Sequence, residues 1–196
     1  MFTHGDCGSM QIWLIRHTSV AIGQSYCYGR TDVDLAASFA DEAQLVKAKL
    51  GPLPPNAVVV SSPAQRCRRL ANILGGELTV DNDLWEMNFG QWEGQRWDDV
   101  PRHELDAWAN DLGGTPPPGG ETLHEVSQRV QRAWQRLISL PAETIYCVTH
   151  AGVIRVMLST LFEMPIGKAF SLQVDYGGCS LLTTSSLAPK LRKFNL

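Results

Sequence analysis

Three short, nearly unbroken apolar runs punctuate the chain: Ile12-Trp13-Leu14-Ile15, Val58-Val59-Val60 and Ile145-Tyr146-Cys147-Val148. Each is bounded by polar residues and each predicts a β-strand. All three run directly into polar and basic groups: Arg16-His17 after the first, Ser61-Ser62-Pro63 and then Arg66 after the second, Thr149-His150 after the third. Elsewhere the apolar spacing becomes helical, as where Leu123, Val126, Val130, Trp134 and Leu137 recur on one face. Strands alternating with helices predict an α/β fold, a three-layer α/β/α sandwich around a mostly parallel sheet.

The boundaries follow from capping and breaking residues. Ser38 and Asp41 resemble a capping box that opens a helix through Leu45, Val46 and Leu50, stopped by Gly51-Pro52. Ser62 as N-cap, Pro63 at the first helical position and Gln65 at the third predict a second helix with Arg66 in its first turn, ended by Gly75-Gly76. A short strand is expected over Leu78–Val80, a helix over Trp97–Leu112, and a Gly/Pro-rich loop over Gly113–Gly120. Thr122 and Glu125 form a further capping box, and Ala151-Gly152-Val153 begins a helix through Leu161. The tail from Phe170 to Leu196 alternates weakly and predicts edge strands.

Size and charge narrow the function classes. At 196 residues and 44% hydrophobic content, the chain suits a single domain over residues 10–196, with residues 1–9 as a disordered leader. A net charge of −3 gives no general reason to bind nucleic acid or anionic membrane, so the basic groups are expected to act locally. Five scattered cysteines, odd in number and without a C-x-x-C pair, point to free thiols in a reducing cytoplasm; Cys67 and Cys147 read as small core residues. No targeting segment or membrane-length apolar run is visible. His4 and Cys7 lack a second pair of ligands at zinc-site spacing, so no metal or cofactor is expected. The oligomeric state is left open, a dimer being one option.

In an open α/β sheet, ligands bind beyond the carboxyl ends of the strands. If the three strands are neighbours, Arg16, Arg66, His17 and His150 converge there as a cradle for a small anion. A neutral imidazole can attack phosphorus, provided the negative oxygens are neutralised as charge redistributes. Arginine suits that task because its planar fork holds two phosphate oxygens and stays charged. A phosphate ester also needs a proton for its leaving oxygen. Glu86, among Trp85, Phe89 and Trp92, is the candidate, with partial desolvation expected to raise its pKa.

Four motifs, Ile15-Arg16-His17-Thr18, Ser61-Ser62-Pro63-Ala64-Gln65-Arg66, Leu84 through Gly94, and Val148-Thr149-His150-Ala151-Gly152, resemble in order and spacing the histidine phosphatase superfamily, the phosphoglycerate mutase-like group. The resemblance implies that His17 is the phosphorylated nucleophile, that Arg16, Arg66 and His150 form the phosphate pocket, and that Glu86 serves as acid and then as base. It adds Thr18, Tyr28, Gly29 and Ala151 as substrate-binding positions, and Glu121 as a weaker one. Two departures from the family pattern stand out. Thr18 and Ser19 replace the usual glycine and acidic residue, so Thr18 either narrows the pocket or adds a hydroxyl donor, and Gly23 replaces an asparagine.

The stretch Cys27-Tyr28-Gly29-Arg30-Thr31-Asp32-Val33-Asp34-Leu35 resembles the alpha-ribazole phosphatase branch, which implies alpha-ribazole 5′-phosphate as substrate in cobalamin assembly. Mutases carry paired arginines after the glutamate motif; here Gln95 to Leu112 offers only Arg96 and Arg102, apart, which favours hydrolysis. Tyr26, Tyr28, Trp85 and Trp97 are candidates to enclose an aromatic ring. Three alternatives remain open: a phosphatase or mutase for another small phosphometabolite, a phosphoprotein phosphatase, and an inactive phospho-ligand-binding relative.

Overall fold

The computed structural model describes residues 9–184 and 188–196. Six strands, β1 (Met10–Arg16), β2 (Val58–Ser61), β3 (Leu78–Val80), β4 (Thr144–Thr149), β5 (Cys179–Thr184) and β6 (Lys190–Lys193), form one sheet in the order β3-β2-β4-β1-β5-β6. The first four of that order are parallel; β5 and β6 are added antiparallel. The register pairs Arg16 with Thr149 and Ser61 with Val148, so β1, β2 and β4 end at one level. The three strand ends are therefore neighbours, which meets the condition for their basic groups to converge.

Alternate residues of each strand face opposite sides of a sheet, and both sides are covered. Trp13, Ile15, Val59, Tyr146 and Val148 pack with Ala43 and Val46 of α1 (Phe39–Leu50) and Cys67, Leu70 and Leu74 of α2 (Gln65–Leu74). Ile12, Leu14, Val60, Ile145 and Cys147 pack with Val126, Val130 and Leu137 of α4 (Leu123–Ser139) and Ile154 and Met157 of α5 (Ala151–Leu161). This is the expected α/β/α sandwich. The remaining helix, α3 (Arg102–Asn110), lies over a smaller cluster in which Trp92, Val100 and Cys27 are buried against Phe89, Trp97 and Trp108. Among the described residues no helix is long and apolar enough to cross a membrane. Cys27, Cys67, Cys147 and Cys179 are free and buried.

Several local expectations need correction. Ser38 is the N-cap of α1, but its hydroxyl donates to Glu42 Oε1 (2.6 Å) rather than forming a box with Asp41. α2 begins at Gln65, not Pro63, and Ser62 does not cap it; the Gln65 amide is met instead by the Asp32 carboxylate (3.0 Å) from a distant loop. The expected helix over Trp97–Leu112 is interrupted: one 3-10 turn, Trp97–Asp99, precedes Pro101, and the α-helix proper spans only Arg102–Asn110. Pro101 forces this break because it disfavours helical backbone in the residue before it. In the tail only β6 is an edge strand; β5 is interior to the sheet and its first four residues are buried. The Thr122–Glu125 capping box forms as expected. Of the leader, residues 1–8 lie outside the described residues, as does Cys7 with them.

Candidate active site

β1 delivers His17 to the floor of a cleft of about 280 Å³ at the carboxyl end of the sheet. The His17 amide continues the ladder by donating to Thr149 O (3.0 Å), which fixes its backbone within the sheet. Its Nδ1 lies 2.8 Å from the Thr18 carbonyl. A carbonyl can only accept, so Nδ1 carries the hydrogen and Nε2 keeps a free lone pair. Burial, followed by the charges of Arg66 and Arg16, holds the His17 pKa well below 6.5, so the ring is neutral at neutral pH.

The other basic groups pack around it. Arg66, fully buried in the first turn of α2, donates to Gly29 O (2.7 Å) and Thr31 O (2.9 Å). Gly29 has φ +29°, and a Cβ there would overlap the Glu93 carboxylate, so the close turn that presents its carbonyl requires glycine. Arg16 donates to Val174 O (2.7 Å), and its guanidinium lies 3.7 Å over the ring of Tyr176. His150, the N-cap residue of α5, sits edge-on to His17 with ring centroids 5.3 Å apart. Its Nδ1 is 3.3 Å from Arg66 NH2 and its Nε2 is 2.7 Å from Ser62 Oγ. Arginine only donates, so Nδ1 accepts and Nε2–H donates to the serine. Burial first, then the charges of Arg66 and neighbouring groups, holds His150 well below 6.5 as well.

Glu86 is set by backbone. Its carboxylate accepts from the Met87 amide (2.9 Å) and from the Gly152 amide (3.1 Å) at the start of α5. A Cβ on residue 152 would overlap that carboxylate, so glycine permits the approach. Of the aromatics expected around Glu86, only Phe89 shares its cleft; Trp92 is buried in the cluster under α3, where its Nε1 donates to Glu104 (2.7 Å), and Trp85 packs on the α1–α2 side. Arg129 clamps the segment from below, donating to the carbonyls of Asp83, Trp85 and Glu86 and to Glu121. Glu121, expected as a weak contact, does not line the cleft. It is bound by Arg30, Arg129 and the Asn88 amide, so its role here is to tie loops together.

Of the expected site residues, Arg16, His17, Tyr28, Gly29, Glu86 and Ala151 line the cleft, while Thr18, Arg66 and His150 are fully buried beside it. Tyr26 and Trp97 line it too; Trp85 does not. Three buried polar atoms at this place have no hydrogen-bond partner among the described residues: Arg16 Nε, Arg66 Nε and Thr18 Oγ1. Leaving such groups unpaired is costly; Thr18 follows His17 in the chain, and the charges of Arg16 and Arg66 act on the His17 ring.

Residues not anticipated from sequence complete the cleft. Tyr176 covers Arg16, lies 5.5 Å from His17 and shares a 2.7 Å hydrogen bond between its hydroxyl and that of Tyr28. Gln24 and Arg155 also line the wall. Arg155 carried a readable signal, since it stands one helical turn after Ala151 and so shares its face. Tyr176 carried none, because it arrives from the loop before β5.

The geometry has close counterparts. The model of the histidine phosphatase superfamily (branch 1) matches residues 12–196. An adenosylcobalamin/alpha-ribazole phosphatase of Escherichia coli (strain K12) is 28% identical over 195 residues, covering 95% of this chain and 96% of that protein. The crystal structure of the alpha-ribazole phosphatase from Shigella flexneri superposes with a TM-score of 0.87 at 27% identity, covering 95% of this chain and 96% of the other. A mycobacterial glucosyl-3-phosphoglycerate phosphatase, in a structure with VO3, gives 0.81 at 25% identity over 95% and 98%. With Arg16, His17, Arg66 and His150 packed together at the carboxyl end of the sheet and a family match across nearly its whole length, the chain belongs to the histidine phosphatase superfamily, branch 1.

Proposed function

We propose that this protein hydrolyses a small phosphate monoester through a phosphohistidine on His17, and that its substrate is alpha-ribazole 5′-phosphate. The observation that carries the reaction is a neutral His17 imidazole whose Nδ1 is already committed, set within the influence of Arg16 and Arg66, each of which holds an orphaned buried Nε, and followed by Thr18 with an orphaned hydroxyl. In this reading Nε2 attacks phosphorus, forming an N–P bond as the ester P–O bond breaks. The departing alkoxide takes a proton from Glu86. Water then attacks the phosphohistidine, Glu86 takes its proton, and phosphate leaves. Arg16, Arg66 and the Thr18 hydroxyl meet charge on the phosphoryl oxygens, where preorganised donors act most strongly. His150, neutral and hydrogen-bonded to Arg66, backs the pocket without adding a charge that would oppose those arginines.

The substrate assignment is supported by two things. Relatives bearing the alpha-ribazole phosphatase name align over 95% and 86% of the chain. The cleft wall carries Tyr26, Phe89 and Trp97, aromatic surfaces suited to a benzimidazole. A cytoplasmic location and a single domain from residue 10 belong to the same proposal.

The test is turnover of a panel containing alpha-ribazole 5′-phosphate, 3-phosphoglycerate, sugar phosphates and a phosphopeptide, with rapid quench on labelled substrate. Preference for alpha-ribazole 5′-phosphate, an acid-labile phosphoenzyme and its absence in His17→Ala are expected. Full activity in His17→Ala refutes the mechanism; a preference for another member of the panel refutes the substrate; no turnover of any member supports a silent phospho-ligand binder.

A further inference from the structure

Beyond Arg16, which the phosphoryl group is proposed to meet, Arg155 is a second cleft-lining cation whose partners among the described residues do not account for it. Its Nε donates to Leu172 O (2.8 Å), and Phe170 lies 5.6 Å from its guanidinium. The two terminal nitrogens have no hydrogen-bond partner, and no carboxylate lies within ion-pair distance, among the described residues. The contrast with Arg129 is instructive: that guanidinium, also largely buried, is saturated by three carbonyls and Glu121. Arg155 is half-buried, and burial lowers its pKa with Glu86 the largest opposing influence. A cation partly removed from water is costly unless it is paired.

Its placement gives it a partner class. Ala151 and Arg155 stand one turn apart on α5 and both line the cleft, while the intervening Gly152 amide holds the Glu86 carboxylate. In the reading above, an alcohol leaving phosphorus toward Glu86 departs into a cleft that Ala151 and Arg155 also line.

We propose that the two free nitrogens of Arg155 form a subsite for acceptor oxygens on the alcohol portion of the substrate, within a few bonds of the ester oxygen. The fork offers donors only, so it recognises hydroxyl or carboxylate oxygens and discriminates against plain alkyl or aryl alcohols. This rests on the phosphomonoesterase reading above and deepens it: the enzyme selects esters of oxygenated alcohols. A sugar diol and a carboxylate present the same acceptor chemistry, and the experiment separates them.

The experiment compares kcat/KM for matched ester pairs in the full-length protein and in Arg155→Met and Arg155→Lys. One pair is ribose 5-phosphate against cyclopentylmethyl phosphate; the other is 3-phosphonooxypropanoate, which has a carboxylate and no hydroxyl, against propyl phosphate. In the unaltered protein the oxygenated member of at least one pair is expected to be favoured about tenfold or more, the scale of a charge-assisted hydrogen bond. Arg155→Met should remove that preference, and Arg155→Lys should restore part of it. Loss in the ribose pair identifies hydroxyls, and loss in the propanoate pair identifies a carboxylate. Equal losses on both members of both pairs, or a shifted pH profile with the preference intact, would mean that Arg155 acts through Glu86 and would overturn the subsite. Should the unaltered protein cleave neither these four nor alpha-ribazole 5′-phosphate, the phosphatase reading itself fails, a result distinct from equal losses.

Discussion

Acid should loosen this fold before it protonates any carboxylate that holds it, because two imidazoles are buried in neutral form. His17 and His150 are each held well below 6.5, burial being the leading cause and the Arg66 charge the next. In the unfolded chain both titrate near ~6.5. A folded-state value that is depressed means the stabilising difference is fully present above the unfolded value and is lost as pH falls below it, since the unfolded state then binds protons that the folded state refuses. Between about pH 7.5 and about pH 5.5, each ring contributes a loss of up to ~1.4 kcal/mol, so the pair reaches ~2.7 kcal/mol. That ceiling applies when neither ring takes a proton in the folded state over the window. Against a typical total stability of roughly 5–15 kcal/mol this is a large fraction. Carboxylates held low by hydrogen bonds, such as Glu125 by the amide and hydroxyl of Thr122, lose their contribution only at lower pH. The assay is urea unfolding followed by tryptophan fluorescence across that window. His150→Gln should halve the slope of stability against pH, whatever it does to stability itself. A flat profile in the unaltered protein, or an unchanged slope in His150→Gln, would refute the claim that both rings are buried without a proton.

Tyr176 should act as a positioning residue for Arg16. Tyr176→Leu removes the face over which the guanidinium lies at 3.7 Å and is expected to cost roughly tenfold in kcat, in line with a desolvated cation–π contact. Tyr176→Phe, which keeps the ring, should recover most of that loss; equal effects of the two variants would mean that the hydroxyl bond to Tyr28 matters instead. Gly152→Ala places a methyl where the Glu86 carboxylate sits, so it should imitate Glu86→Gln. Both should depress hydrolysis of alkyl phosphates by about 10²-fold, the scale of general acid catalysis, and spare p-nitrophenyl phosphate, whose leaving group scarcely needs a proton. Equal damage to both substrates would remove Glu86 from the acid role.

The fold was legible where one local rule decided the outcome. Val58–Val60 and Ile145–Val148 are too apolar to lie anywhere but between two covered faces, and the structure buries them there. The basic groups that follow them were legible for the same reason, since a strand end fixes its last residue and the one after it to within a few ångströms. β5 was not legible. Its sequence, Cys179-Ser180-Leu181-Leu182, lacks a strong alternation, and its interior place is set by pairing with β1, more than 160 residues away in sequence. Tyr176 inherits its position from that pairing: the Gly177 amide donates to His17 O (3.1 Å), which seats the neighbouring tyrosine over Arg16. No window of sequence contains both partners, so no periodicity could announce the contact.

Ser62 shows the other kind of failure, in which a local rule was available and lost. Serine followed by proline is a sound N-cap signal, but the same hydroxyl can instead pair with a buried imidazole. The two uses differ in cost. The N-terminus of α2 lies within reach of the exposed carboxylate of Asp32, which meets the Gln65 amide at 3.0 Å, and the serine keeps only a long contact there, from the Ala64 amide at 3.4 Å. His150 Nε2–H has no such substitute among the described residues: it is fully buried, and its other hydrogen-bond contact is Cys67 Sγ at 3.6 Å, a weak acceptor. An unpaired buried donor costs about 1–3 kcal/mol, whereas a cap that another group can supply costs almost nothing to move. The hydroxyl therefore goes to the histidine, and with it goes the tautomer: Ser62 holds the hydrogen on Nε2 and leaves Nδ1 to face Arg66. Ser62→Ala should accordingly disturb Arg66 more than it disturbs α2, because the helix keeps its cap while the imidazole loses the bond that orients it.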